Sequence, residues 1–262
     1  LRLMAIAAAV VALARPVEVH NQSETTTEGI DIVIAMDISS SMLARDFTPD
    51  RLTAAKQLAT EFTAERTGDR ISVVAFAGEA FTQCPLTSDQ AAVGTMLSRL
   101  RSGVVDDGTA IGNGLATAIN RLRESGAKSK VVVLLTDGVN NRGQISPIMA
   151  ADIARDLGIK VYTIGVGSRD KAPMPAQDMF GNMTYVMADV EIDEELLRDI
   201  ASKTSGQYFR ASDNEALRGI YQQINELEKS EVQVTNYTTY EEHFAGWLLL
   251  ALMLLAAEFI VA

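Results

Sequence analysis

The sequence predicts an α/β domain with a doubly wound, mostly parallel sheet and helices on both faces. Three observations carry this prediction. Nearly continuous apolar runs, typical of strands buried on both faces, recur along the chain. Segments with apolar residues at helical spacing stand between those runs. Some of the runs end in a turn rich in Asp, Ser and Gly, which is typical of the ligand-binding edge of such sheets.

The predicted elements alternate in chain order, as crossover helices between parallel strands require. The predicted strands span residues 30–36, 71–76, a short edge hairpin partner at 80–82, 130–135, 160–166 and 206–210. The predicted helices span residues 50–66, 88–100, 111–123, 147–157, 191–203 and 213–229. Thr48-Pro49 and Ser146-Pro147 each place a capping hydroxyl before a proline suited to the first helical position.

An Asp-x-Ser-x-Ser run directly follows the first predicted strand. A strand that breaks into a turn brings Asp37, Ser39 and Ser41 toward one point, and all three side chains carry oxygen. Oxygen donors suit a hard cation such as Mg²⁺, with Mn²⁺ or Ca²⁺ as alternatives. The run therefore predicts a metal site.

Two more oxygen-bearing residues occur in similar settings downstream. Thr109 stands in Asp-Gly-Thr-Ala-Ile-Gly before a predicted helix, and Asp137 follows the strand at 130–135. Carboxyl ends of neighbouring parallel strands meet at one edge of a sheet, where ligands bind. We therefore predict that Thr109 and Asp137 complete the metal site.

Three alternatives compete with a metal-dependent binding site. Asp37, Ser39 and Ser41 could merely cap the following turn, as Asp and Ser often do. Asp37 could instead be the nucleophile of an aspartate-based, Mg²⁺-dependent phosphatase, but such sites generally have a second acidic residue where Ser39 stands. Serine hydrolysis lacks a base within the domain, because the two histidines, His20 and His243, flank the terminal segments. A non-enzymatic site is the preferred interpretation.

The amino-acid composition disfavours some classes of partner. The formal net charge of −11 disfavours nucleic acid, because binding it requires neutralising Lys and Arg side chains. Cys84 is the single cysteine, so the chain cannot form an internal disulfide.

Both ends of the chain are apolar. Residues 244–262 carry one charged side chain, Glu258, and are long enough to cross a bilayer, so a transmembrane helix is predicted. The alternative is a buried core helix, which Glu258 would favour. Residues 1–15 are too short to span and are interpreted as a truncated membrane helix, with a signal peptide as the alternative.

The predicted organisation follows from these segments. It comprises a truncated membrane helix (1–15), a linker (16–28), the α/β domain (29–229), a juxtamembrane segment (230–243) and a transmembrane helix (244–262). Residues 168–188 interrupt the alternation of strands and helices and are predicted to be an insertion, either functional or a plain hairpin. The scarcity of basic residues on the domain side of the apolar ends favours an extracytoplasmic domain.

The set Asp37, Ser39, Ser41, Thr109 and Asp137, in this order on an alternating α/β chain, resembles the metal-ion-dependent adhesion site (MIDAS) of von Willebrand factor A domains. The resemblance covers about residues 29–229 and implies a Rossmann-like fold. It implies that the Ser39 and Ser41 hydroxyls bind Mg²⁺ directly and that Thr109 binds directly or through water. Asp37 and Asp137 would act mostly through water, and a partner's Asp or Glu would complete the coordination.

Three further phrases resemble the bacterial aerotolerance (Bat) membrane proteins, the BatA branch in particular. They are Phe-Ala-Gly-Glu-Ala-Phe at 76–81, Asp-Gly-Thr-Ala-Ile-Gly at 107–112 and Tyr-Thr-Ile-Gly-Val-Gly at 162–167. This resemblance implies a bacterial inner-membrane protein with a periplasmic domain. It also implies partnership with other Bat proteins and with a MoxR-type AAA+ ATPase, in a complex linked to stress or oxygen tolerance.

Overall fold

The computed structural model describes residues 2–15, 17–168, 171–177, 183–228, 231–242 and 244–261. The strands are β1 (Val17–Glu28), β2 (Asp31–Asp37), β3 (Arg70–Phe76), β4 (Ala80–Thr87), β5 (Lys130–Thr136), β6 (Ile159–Val166), β7 (Ala172–Gln177), β8 (Met183–Ala188), β9 (Tyr208–Ala211) and β10 (Glu231–Glu242). The helices are α1 (Arg2–Leu13), α2 (Arg51–Ala64), α3 (Gln90–Ser98), α4 (Ile111–Leu122), α5 (Pro147–Asp156), α6 (Glu194–Lys203), α7 (Asn214–Leu227) and α8 (Phe244–Val261). A short 3₁₀ helix (Ser40–Leu43) follows β2. The chain divides into two compact units, Glu28–Glu231 and the two terminal segments Leu1–Thr27 and Val232–Ala262.

A six-stranded sheet forms the centre of the larger unit. Its order is β4-β3-β2-β5-β6-β9, and all neighbouring pairs are parallel except the edge pair β3–β4. The chain builds outward from β2 to β3 and β4 on one side, then continues with β5 on the other. The strand order therefore reverses between β2 and β5, where Met36 lies opposite Leu135. Ligands of such sheets bind at this reversal, beyond the carboxyl ends of the strands.

Helices cover both faces of the sheet, as predicted. Every residue of β2 is buried, and successive side chains enter opposite cores. Ile32 and Ile34 belong to a core that includes buried residues of α2, α3 and α7. Val33 and Ala35 belong to a second core that includes buried residues of α4, α5 and α6. The apolar run of β2 is thus explained by burial on both sides.

The start of α2 differs from the prediction. The sequence favours Thr48 as the cap of a helix that begins near residue 50, but Asp50 is the N-cap and the helix begins at Arg51. The Asp50 side chain accepts a hydrogen bond from the Thr53 backbone N at 2.8 Å. A carboxylate at this position satisfies a free helical N–H, which leaves Pro49 outside the helix.

The predicted insertion contains an antiparallel hairpin of β7 and β8. Its residues 178–182 lie outside the described part of the chain. The Arg45 backbone N donates to the Pro173 carbonyl oxygen at 3.0 Å, and the Arg45 guanidinium lies 4.0 Å from the centre of the Tyr185 ring. The hairpin therefore packs on the loop between the 3₁₀ helix and α2.

The smaller unit joins the two ends of the chain. Helix α1 packs with α8, and β1 pairs with β10 in a two-stranded sheet. Residues 17–28, expected to be a linker, and 231–242, expected to be a juxtamembrane segment, are thus both extended strands. Among the helical residues that the structure describes, no stretch combines the length and apolarity of a bilayer span. The membrane helices predicted for 1–15 and 244–262 are therefore not confirmed.

A buried carboxylate anchors the end of α7. Glu228 is 4% exposed and accepts hydrogen bonds from Lys160 Nζ at 2.6 Å, Tyr162 Oη at 2.7 Å and Ser129 Oγ at 3.2 Å. Arg66 Nη1 donates to the Glu228 backbone carbonyl. Helix α7 is thereby fixed to the strands at the end of the sheet opposite the predicted site.

Replacing this anchor is expected to destabilise the domain. Glu228→Leu removes the acceptor of the buried Tyr162 hydroxyl, so the free energy of unfolding should fall by about 2 kcal/mol. Glu215→Gln, an exposed change at the start of α7, should alter it by less than about 0.5 kcal/mol. Urea unfolding of the two variants and the wild type measures the difference, and equal losses in both would contradict the role of Glu228.

Candidate metal centre

Three loops bring the five predicted residues together at the carboxyl edge of the sheet. Ser41 Oγ donates to Asp137 Oδ1 at 2.6 Å and shares a hydrogen bond of 2.9 Å with Ser39 Oγ. Asp37 Oδ1 accepts from the Ser39 backbone N at 2.9 Å. Thr109 faces Gly138, since a Cβ placed on that glycine would lie 3.0 Å from Thr109 Oγ1. Their role as metal ligands stays a prediction, but their convergence is observed.

Residues outside the predicted set hold these loops in place. Asn141 Oδ1 accepts from the Thr109 backbone N at 2.9 Å, and the Asn141 backbone N donates to the Thr109 carbonyl at 3.1 Å. Asp107 accepts two hydrogen bonds from Ser40, at 2.9 Å from its backbone N and 2.5 Å from its hydroxyl. The three loops are thus connected to one another directly.

Asp37 is fully enclosed by protein. Its side chain is 0% exposed. Thr136 Oγ1 donates a hydrogen bond to Oδ2 at 2.6 Å, and the Ser39 backbone N donates to Oδ1. Burial and the neighbouring Asp137 raise the pKa of Asp37 to about 7, although the bonds from Ser39 and Thr136 act in the opposite direction. Burial also raises the pKa of Asp137, against the effects of Arg51 and Ser41. In the metal-free protein, the charge balance at this point therefore favours the protonated forms of the two enclosed carboxylates.

This charge balance makes the stability of the metal-free protein depend on pH. The pKa of Asp37 is raised from 3.8 to about 7 on folding, so the folded chain holds this proton more tightly than the unfolded chain. The corresponding stability is complete below the unfolded pKa and is lost as pH rises toward the folded pKa. Asp37→Asn cannot ionise, so its stability relative to the wild type should increase with pH by a few kcal/mol across this window. Urea unfolding in EDTA between those two pH values measures the effect, and parallel pH profiles would contradict it.

Arg51 is a functional candidate that sequence reasoning missed. Its side chain is 1% exposed, and Nη1 donates to Asp137 Oδ2 at 2.6 Å. Nε and Nη2 bind the two oxygens of Asp46 at 2.7 and 2.5 Å. The available signal was a basic residue in the first turn of a helix, where negative charge is normally preferred.

The donor set fits a small, hard cation. Three neutral hydroxyls, from Ser39, Ser41 and Thr109, lie beside two carboxylates that are already hydrogen-bonded. Within the described ranges, no three His, Cys, Asp or Glu side chains form a metal-binding cluster. A cation bound at this edge would therefore rely on hydroxyl oxygens, which favours Mg²⁺ or a similar ion over a thiolate- or imidazole-bound metal.

Comparison with known proteins identifies the class. A family model described as the von Willebrand factor type A (VWA) domain matches residues 31–223, and the chain belongs to this family. An uncharacterised protein of Borreliella burgdorferi is 30% identical over 252 residues, covering 96% of this chain and 74% of that protein. The similarity therefore extends beyond the VWA domain into the terminal segments.

Two solved structures narrow the class to Bat-type VWA proteins. BatB from Bacteroides thetaiotaomicron is 33% identical, with a TM-score of 0.65 over 76% of this chain and 98% of that chain. An aerotolerance-related membrane protein from Bacteroides fragilis is 32% identical, with a TM-score of 0.64 over 76% of this chain and 100% of that chain. These similarities support the predicted relationship to the Bat family.

A more distant structure shares the fold. Proximal thread matrix protein 1 from the mussel byssus, with a zinc-occupied MIDAS motif, is 23% identical with a TM-score of 0.61. The match covers 83% of this chain and 50% of that chain. At this identity the likeness shows a shared fold.

Proposed function

We propose that this chain is a membrane-anchored protein-binding module that holds Mg²⁺ at Asp37, Ser39, Ser41, Thr109 and Asp137 and captures a carboxylate from a protein partner. The observation that carries the proposal is the convergence of three hydroxyls with two carboxylates in hydrogen-bonded loops. The bound ion would supply a strong positive charge at the surface of an acidic protein. Mn²⁺ or Ca²⁺ could take its place.

The site needs a carboxylate from another protein because its own two carboxylates already accept hydrogen bonds within the protein. The oxygens of Asp37 accept from Ser39 and Thr136, and those of Asp137 accept from Ser41 and Arg51. Hydroxyl ligands are neutral, so a cation held mainly by them keeps most of its charge. The bound ion makes the local electrostatic potential positive, although the protein as a whole is acidic. An Asp or Glu of a partner can satisfy that charge.

A binding function is favoured over the phosphatase-like alternative. A phosphoryl-accepting aspartate must present a free oxygen to its substrate. Asp37 is 0% exposed and both of its oxygens accept hydrogen bonds from the protein. The residue two positions on is Ser39, which cannot act as a general acid. We therefore place Asp37 as a support for the ion and its loop.

The cellular setting is proposed from resemblance. The Bacteroides fragilis relative is described as an aerotolerance-related membrane protein, which supports membrane association here. We propose that residues 1–15 and 244–262 anchor the chain in the bacterial inner membrane, with the VWA domain in the periplasm. Other Bat-family membrane proteins and a MoxR-type AAA+ ATPase are the proposed partners, within a complex that serves stress or oxygen tolerance.

Peptide selection tests carboxylate capture and does not require the partner to be identified. A displayed random-peptide library is selected on the immobilised chain in Mg²⁺ and eluted with EDTA. We expect the enriched peptides to share an Asp or Glu whose replacement by Asn or Gln abolishes binding. Failure to enrich any peptide by EDTA elution, or enriched peptides that tolerate the amide, would contradict the proposal.

A further inference from the structure

Arg51 is buried beside the metal centre in an electrostatically unusual position. It is the first residue of α2, where the helix dipole disfavours positive charge. Its side chain is nevertheless 1% exposed, and burial of a guanidinium is strongly unfavourable unless the group is paired. Packing alone does not account for a charged side chain at this point of the fold.

The surroundings of Arg51 hold its guanidinium in one place. Asp46 binds it through two parallel hydrogen bonds, and Asp46 is itself fixed by the Ser168 backbone N at 2.8 Å. Gly167 lies against the other side, since a Cβ there would be 2.9 Å from Arg51 Nη2. The bond from Nη1 to Asp137 Oδ2 is therefore made by a donor with little freedom to move.

This rigid donor changes what Asp137 can offer a cation. Oδ2 accepts from Arg51 and Oδ1 accepts from Ser41, so each oxygen already has a hydrogen-bond partner and the guanidinium compensates part of the carboxylate charge. Asp46 and Asp137 both bind this guanidinium, so two carboxylates share one positive charge. A divalent cation held nearby can supply further positive charge without direct coordination by Asp137.

We propose that Arg51 is a positioning residue that withholds Asp137 from direct coordination, so that the ion keeps an open position for the partner's carboxylate. The inference rests on the proposed metal site and deepens it. Arg51 thereby weakens binding of the cation alone and favours joint binding of cation and carboxylate. A site without this arginine would satisfy its ion internally and have less need of a partner.

Mn²⁺ binding to the full chain tests this role. Titration calorimetry gives the affinity, and water-proton relaxation of the bound ion reports the number of coordinated waters. Arg51→Met frees Asp137 Oδ2 and removes a positive charge close to the ion, so Mn²⁺ should bind about tenfold more tightly and with fewer bound waters. Arg51→Lys retains one charged donor and should keep the wild-type water count.

A second variant guards against a folding defect. Arg51→Met combined with Asp46→Leu replaces the buried ion pair by apolar side chains, a type of exchange that folds well in other proteins. It should show the same tighter binding and lower water count. Folding of each variant is checked by circular dichroism.

The outcomes separate this inference from the proposed function. If the wild type binds Mn²⁺ and the folded variants show the same affinity and the same number of bound waters, the role of Arg51 is overturned. The proposed metal site is then left intact. Absence of Mn²⁺ binding in the wild type and in every variant would overturn both. Tighter binding with fewer waters in Arg51→Met and the double variant supports the inference.

Discussion

Ser39→Ala is expected to abolish saturable Mg²⁺ binding, and Asp37→Ala to weaken it by about 10- to 100-fold. Ser39 would lose a directly coordinating hydroxyl, one that also hydrogen-bonds Ser41 at 2.9 Å. Asp37 would lose the carboxylate that holds the Ser39 backbone N and accepts from Thr136. Titration calorimetry on the full chain measures both effects.

Ser40→Ala is the matched control for this prediction. It removes a hydroxyl from the same loop, but the Ser40 hydroxyl is exposed and donates to Asp107 rather than facing the other predicted ligands. Its Mg²⁺ affinity should stay close to that of the wild type, because the Ser40 backbone N keeps its bond to Asp107 and the loop stays connected. Equal losses in Ser39→Ala and Ser40→Ala would mean that the loop, rather than the individual hydroxyls, determines binding. Wild-type affinity in Ser39→Ala would contradict the predicted ligand set.

Gly112→Ala is expected to lower the free energy of unfolding by about 3 kcal/mol. Gly112 lies in the first turn of α4, three residues after Thr109. A Cβ at this position would lie 1.9 Å from the Ile145 carbonyl oxygen and 3.0 Å from the Pro147 backbone N. The obstacle is backbone, so α4 or the segment before α5 must move, and Thr109 should move with α4. Chemical denaturation measures the loss of stability, and weaker Mg²⁺ binding should accompany it.

Gly219→Ala is the control for the glycine change. Gly219 lies inside α7, and a Cβ there would meet nothing within 4 Å. Alanine has a higher helix propensity than glycine, so the free energy of unfolding of this variant should rise by about 0.5 to 1 kcal/mol. A loss in Gly219→Ala similar to that in Gly112→Ala would show that close backbone approach is not the cause.

Much of the fold could be predicted because its signals are local. The strands β2, β5 and β6 are apolar runs buried on both faces, and α4 begins where its apolar periodicity begins. The five proposed ligands could also be found, since each lies next to a strand end or helix start. A parallel sheet then necessarily brings such positions to one edge.

The parts that could not be predicted depend on distant partners. Strand β1 is polar in sequence and resembles a linker, but its hydrogen-bonding partner β10 lies at the other end of the chain. The charge of Arg51 predicts an exposed side chain, and only the folded loops bring Asp46 and Asp137 to it. Thr48 and Asp50 are both good capping residues, and the geometry of the loop decided between them.

The most direct test of the metal centre is anomalous diffraction from crystals grown with Mn²⁺. We expect one strong anomalous peak bounded by the hydroxyl oxygens of Ser39, Ser41 and Thr109, with a water or a carboxylate of another molecule in the remaining position. Asp37 and Asp137 should lie in the second coordination sphere, held by Thr136 and Arg51. A peak at another place, or no peak at this edge of the sheet, would contradict the proposed metal-bridged binding.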